Sequence, residues 1–143
     1  MEVRKDGDTY IVRLEKGDEV IRELSLFAVE NDVQGATITA IGAFETAVLA
    51  YFNEDKNDYE YKDFDGGLEV ISLQGNISLL VYDDTPMVHL HAALGNSKYE
   101  VMGGHLKEGV VSVTLECFIT PTKVIKRKIP FGPFTLWSLD ETN

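Results

Sequence analysis

The chain is poor in the residues that most often announce a function. It has one cysteine, Cys117, so no internal disulfide can form and no Cys-rich metal motif exists. It has three histidines, one tryptophan and four prolines. No apolar run approaches the roughly 20 residues of a membrane-spanning helix. The start, Met1-Glu2-Val3-Arg4-Lys5-Asp6, has no apolar stretch behind its charges, so no signal peptide is expected. With the lone cysteine, this predicts a cytoplasmic protein. Basic residues are also scarce: 13 against 24 acidic ones, a net charge of -11. Such a surface repels polyanions unless its basic residues gather in one patch, which disfavours sequence-independent DNA binding and docking on anionic membranes. There is no phosphate-binding Gly-rich loop and no nucleophile elbow.

What is present is a chain of 143 residues, 44% hydrophobic, enough for one domain with a real core. A single domain over 1–143 is expected. Tyr10–Leu14 alternates as a strand. Asp18 is placed to cap a helix carrying Val20, Ile21, Leu24, Phe27 and Ala28 on one face, and Gly35 is its expected left-handed exit. From Ala36 onward nearly everything reads as strand: 36–41, 44–52, 59–64, 68–73, 77–82, 88–94, 110–120, 124–129 and 135–139. A short second helix is weakly signalled over Tyr99–Met102. One main helix and many strands predict an α+β fold with mainly antiparallel sheet.

The sharpest local feature is Val88-His89-Leu90-His91-Ala92. Alternation on a strand puts His89 and His91 on one side and Val88, Leu90 and Ala92 on the core side. Two imidazoles so spaced are half of a common zinc site. His105 follows Gly103-Gly104, which is expected to break the chain there, since a glycine pair lets the backbone turn sharply and approach its neighbours closely. Three neutral histidines would leave a tetrahedral cation one open position for water or substrate. Taken alone, a His-x-His is more often a pair of exposed or satisfied side chains. Cys117 sits in the alternation Val111, Val113, Leu115, Cys117, Ile119, which reads as a core face. Lys123, Lys126, Arg127 and Lys128 form the only basic cluster, read here as edge-strand charges that block aggregation.

Several segments together resemble the plants-and-prokaryotes conserved domain (PPC domain). They are Ala40-Ile41-Gly42-Ala43-Phe44-Glu45-Thr46, Gly66-Gly67-Leu68-Glu69-Val70-Ile71-Ser72-Leu73-Gln74-Gly75-Asn76, His89-Leu90-His91-Ala92-Ala93-Leu94-Gly95 and Gly103-Gly104-His105-Leu106. The likeness covers nearly the whole chain, and is to a stand-alone prokaryotic member. It implies an antiparallel α/β domain assembled as a homotrimer. It also implies Zn²⁺, or another divalent transition metal, on His89, His91 and His105. Plant relatives bind AT-rich DNA through a separate basic AT-hook, Arg-Gly-Arg-Pro, which this chain lacks; its arginines, Arg4, Arg13, Arg22 and Arg127, are scattered.

Two functions stay open at this level. One is a metal-dependent hydrolase or lyase, or a small-molecule binder, with Glu45, Glu69 or Glu116 as candidate proton carriers. The other is a non-enzymatic oligomeric module, associated with DNA or transcription, with a structural metal.

Overall fold

The computed structural model describes residues 1–139. Its elements run β1 (Glu2–Asp6), β2 (Thr9–Glu15), α1 (Val20–Glu30), β3 (Ala36–Asn53), β4 (Asp58–Leu80), β5 (Pro86–Gly95), β6 (Val101–Pro121), β7 (Lys126–Phe131) and β8 (Phe134–Ser138). The fold is α+β and almost entirely antiparallel; β4 with β7 is the one parallel pair among the described residues.

Four long strands close on one another. β3 pairs with β4, β4 with β5, β5 with β6, and β6 returns to β3. The circuit needs strands that curve, and the register slips show where they do. β3 shifts against β4 between Ala40 and Gly42 and again between Phe44 and Thr46. Each extra residue bends its strand and raises the local twist. Inside lie Ile38, Phe44, Leu73, Ile77, Leu90, Leu94, Leu106, Leu115 and Ile119, all fully buried. Helix α1 lays Val20, Leu24, Phe27 and Ala28 over the same core, with the Phe27 ring edge-on to Tyr10 at 5.1 Å between centroids.

Several local expectations are corrected. Glu19, not Asp18, caps α1, accepting from the backbone N–H of Ile21 and Arg22. Asp18 instead accepts from the Glu15 N–H and pairs with the amino terminus. The left-handed residue after α1 is Asp32 (φ 51°), one past the Asn31 cap. Gly35 is needed for space: a Cβ there would stand 2.3 Å from the Lys123 carbonyl oxygen. No helix forms at 99–102; Val101 and Met102 open β6. Val113 is 71% exposed although its parity matches Val111 and Leu115, because β6 slips against β3 between those two residues and turns it outward. Cys117 stays on the core face, and burial pushes its thiol up to about 12. No described helix is long and apolar enough to cross a membrane.

Candidate metal centre

The histidines meet where one strand changes partners. β5 and β6 pair from Gly95↔Val101 to His91↔His105, and His105 is also the rung at which β6 faces Ala50 of β3. His105 therefore sits where β6 is handed from β5 to β3. Gly103 and Gly104 serve that crossing without a turn, both lying inside continuous strand. A Cβ on Gly103 would be 2.9 Å from the Ala92 carbonyl oxygen, and one on Gly104 2.8 Å from that of Ala50. The close approach expected of the pair is found, and the chain break is not.

His89 and His91 project from the face of β5 opposite the buried Val88, Leu90 and Ala92. Register sets His89 across from Asn76 and His91 across from Gln74 on β4. Ring centroids are 5.0 Å apart for His89 and His105, 5.2 Å for His89 and His91, and 5.5 Å for His91 and His105. One nitrogen from each ring can be chosen so that all three lie within 4.8 Å of one another. Zinc–nitrogen bonds of about 2.05 Å at tetrahedral angles need nitrogens about 3.3 Å apart. The three nitrogens must draw in from at most 4.8 Å to that spacing for one cation to reach them all.

The donor set fits a cation on two further counts. The Nδ1 atom of His105 is buried and has no hydrogen-bond partner among the described residues, a condition rare for a native polar atom. Two of the rings, those of His89 and His105, are also held neutral. Burial, then His105, Arg127 and His91, lower the His89 pKa to about 4. Burial, then His91 and Lys107, lower that of His105. A neutral imidazole is the ligating form, so these two rings need shed no proton near pH 7.

No carboxylate joins the cluster among the described residues. Glu45, Glu69 and Glu116 are all exposed on the sheet. Glu69 lies across from Gly95 and Glu116 across from Arg13 and Ile41, well along their strands from the histidines.

The surroundings contain residues that sequence reasoning did not single out. Tyr59 stacks on His105 at 5.2 Å and packs with Phe52 and Phe134. Burial and Tyr61 raise its phenol above the usual range, so it stays protonated. Arg127, expected in an exposed basic edge, is instead only 7% exposed. Its Nε donates to Ser78 Oγ (2.7 Å), Nη1 to the Thr135 carbonyl (3.2 Å), and Nη2 to Asn76 Oδ1 (3.2 Å) and His89 Nδ1 (3.3 Å). Trp137 lies against the guanidinium, 5.6 Å from its centre. The available signal was parity: Ile125 and Ile129 flank Arg127 on its own alternation, with Lys126 and Lys128 on the other.

The Plants and Prokaryotes Conserved (PCC) domain, the family abbreviated PPC above, matches residues 1–123. The chain belongs to this family. No curated protein matches it. Among solved structures, a PPC protein from Pyrococcus horikoshii is 33% identical over 99% of this chain and 96% of its own, with a TM-score of 0.85. A metal-containing protein from Archaeoglobus fulgidus is 34% identical over 96% and 95%, at 0.82. A candidate DNA-binding protein from Bacteroides thetaiotaomicron is 27% identical over 96% of each chain, at 0.89. The four-strand circuit and the helix over it are thus the PPC fold, and the three clustered histidines are a feature of this PPC chain.

Proposed function

We propose that this PPC protein, one domain over 1–143, binds a divalent transition metal, zinc first, through His89, His91 and His105, and presents it to a small molecule. The observation that carries the reading is the convergence of three imidazoles with a buried, unpartnered Nδ1 on His105. The metal content of the Archaeoglobus fulgidus relative supports it. Zinc in such a set would act as a Lewis acid and lower the pKa of a bound water. The protein's own part is visible in the residues. His91 and His105 hold one rung, Tyr59 covers one face of the His105 ring, and Phe52 and Phe134 pack beside Tyr59.

Elemental analysis of purified protein before and after chelation tests the metal. One equivalent per chain, lost in His91→Ala, is expected; less than a tenth of an equivalent in the wild type refutes the reading. Turnover is tested with the metal-loaded protein on esters, amides and phosphoesters. A rate abolished in His91→Ala would make the site catalytic, and no turnover on any substrate would leave it a binding site.

The same reading includes a homotrimer in the cytoplasm. Ile41, Val113 and Phe118 expose apolar side chains on β3 and β6 that a second copy would cover. Light scattering on a sizing column reads the mass directly. The alternative, a DNA-associated module, draws on the description of the Bacteroides relative. Charge opposes it: the basic cluster loses Arg127 to the interior, and Lys126 pairs with Asp84 at 3.4 Å.

A further inference from the structure

Arg127 is a buried cation with no carboxylate partner among the described residues. Guanidinium groups withdrawn from water are ordinarily balanced by an anion, because neutral acceptors offset only part of the lost hydration. The neutral acceptors here are Ser78, Thr135, Asn76 and His89.

The contact with His89 has a consequence for ligation. Arginine only donates, so His89 Nδ1 accepts and the ring proton sits on Nε2. A cation bound at Nδ1 takes the lone pair that Arg127 uses. A cation bound at Nε2 moves the proton to Nδ1, which then faces the guanidinium donor to donor. Either way Arg127 gives up His89 when the histidines take a metal. One Nη2 N–H is then left without an acceptor, beside a cation, in a half-buried site. Two positive groups gain a shared neighbour, and nothing among the described residues neutralises them.

We propose that Arg127 is the anchor for a small carboxylate ligand, which takes the position left open on the metal with one oxygen and accepts from the Arg127 Nη2 N–H with the other. This rests on the metal-binding reading above. A carboxylate fits better than a phosphate. Most of the guanidinium N–H groups are already committed, and Phe134 and Trp137 make the surroundings aromatic, so a dianion would find too few donors. Trp137, set against the guanidinium, is the only tryptophan in the chain. Its fluorescence reports any movement of Arg127.

The test uses the full chain with zinc, propionate, and propionamide as the uncharged isostere. Zinc is expected to change Trp137 emission as Arg127 leaves His89. Propionate, and not propionamide, is expected to change it again and to tighten zinc binding, since coupling between two ligands is reciprocal. In Arg127→Gln, and also in Arg127→Lys, which keeps the charge but not the fork, calorimetry should show propionate binding at least tenfold weaker with zinc content unchanged. Equal propionate affinity in wild type and Arg127→Gln overturns the proposal. So does Trp137 emission that ignores one equivalent of bound zinc, a readout that needs no variant to fold. If the wild type takes up no zinc at all, the metal-binding reading fails first and this inference with it; zinc uptake with no effect of Arg127 fails this inference alone.

Discussion

Replacing Gly75 by alanine tests whether the spacing of β4 and β5 sets the position of His89. Gly75 lies across from Leu90, one rung from the Asn76↔His89 pair. A Cβ built on it falls 2.0 Å from the His89 carbonyl oxygen, 2.9 Å from the His89 carbonyl carbon and 2.7 Å from Leu90 Cδ2. An ordinary contact is about 3.4 Å or more, so the strands must part locally by about 1.4 Å. The obstruction is mainly backbone, and backbone in a paired strand cannot rotate aside. Overpacking of this kind costs about 1–3 kcal/mol, and loss of one adjoining ladder hydrogen bond adds about 1 kcal/mol. A total of about 2–4 kcal/mol is expected, read as a lower urea midpoint with unchanged slope. Because the displaced backbone carries His89, zinc affinity of the folded variant should fall at least tenfold. Gly95→Ala is the control: its Cβ would meet the tip of Ile71 at 3.1 Å, a side chain that can move, so under about 1 kcal/mol is expected. A Gly75→Ala protein within about 0.5 kcal/mol of wild type, with undiminished zinc affinity, would refute the idea that this close approach places the ligand.

Three further outcomes follow from other parts of the molecule. His89 has a folded pKa of about 4, below its ordinary 6.5, so the unfolded chain binds more protons between those values; stability of the metal-free protein should be full above pH 6.5 and fall as pH drops toward 4, checked by urea midpoints across that range. Cys117, buried with its thiol pushed up to about 12, should resist a thiol reagent in native buffer and react at once in 6 M guanidinium. Glu19→Ala removes acceptors for the N–H groups of Ile21, Arg22 and Gly109 and should cost about 1 kcal/mol, read by chemical denaturation.

The amphipathic helix was readable because Val20, Leu24, Phe27 and Ala28 repeat at helical spacing and all four are buried. The strand pair of histidines was readable for the same reason at period two. What periodicity could not show is continuity. The 59–64 and 68–73 segments and residues 77–80 are one strand, β4: Gly66 and Gly67 (φ 91° and 83°) bulge within it rather than ending it, and Gln74, Gly75 and Asn76 stay in register with β3, while Val81 and Tyr82 fall in the turn beyond. β1 leaves no mark in the sequence: Glu2–Asp6 is wholly exposed, and a polar edge strand has no buried face to create a pattern. Arg127 reads as an exposed edge charge because a cation in a basic run is ordinarily solvated, yet it is buried. Parity with Ile125 and Ile129 hints at an inward side chain, but the acceptors that make burial tolerable, Ser78 and Asn76, lie far away in sequence. The three histidines could be named from sequence, but their meeting depends on β6 leaving β5 at His105, a topological fact that no local spacing encodes.

That topology links the site to the stability of the fold. The His91↔His105 rung is the last one between β5 and β6 before β6 turns to β3. End rungs fray first, since they have a paired neighbour on one side only. A cation held by His91 and His105 would bridge the two strands at that open end, while His89 tied the same point to β5 one step further along. Ligand binding to the folded state alone stabilises by RT ln(1 + [L]/Kd), about 4 kcal/mol at a thousandfold excess over Kd. Amide exchange at His91, Ala92 and Leu106 should therefore slow on zinc binding by more than exchange in β1 or β2, which lie away from the closure. Uniform slowing across the chain would mean the metal stabilises the fold globally and does not pin this rung.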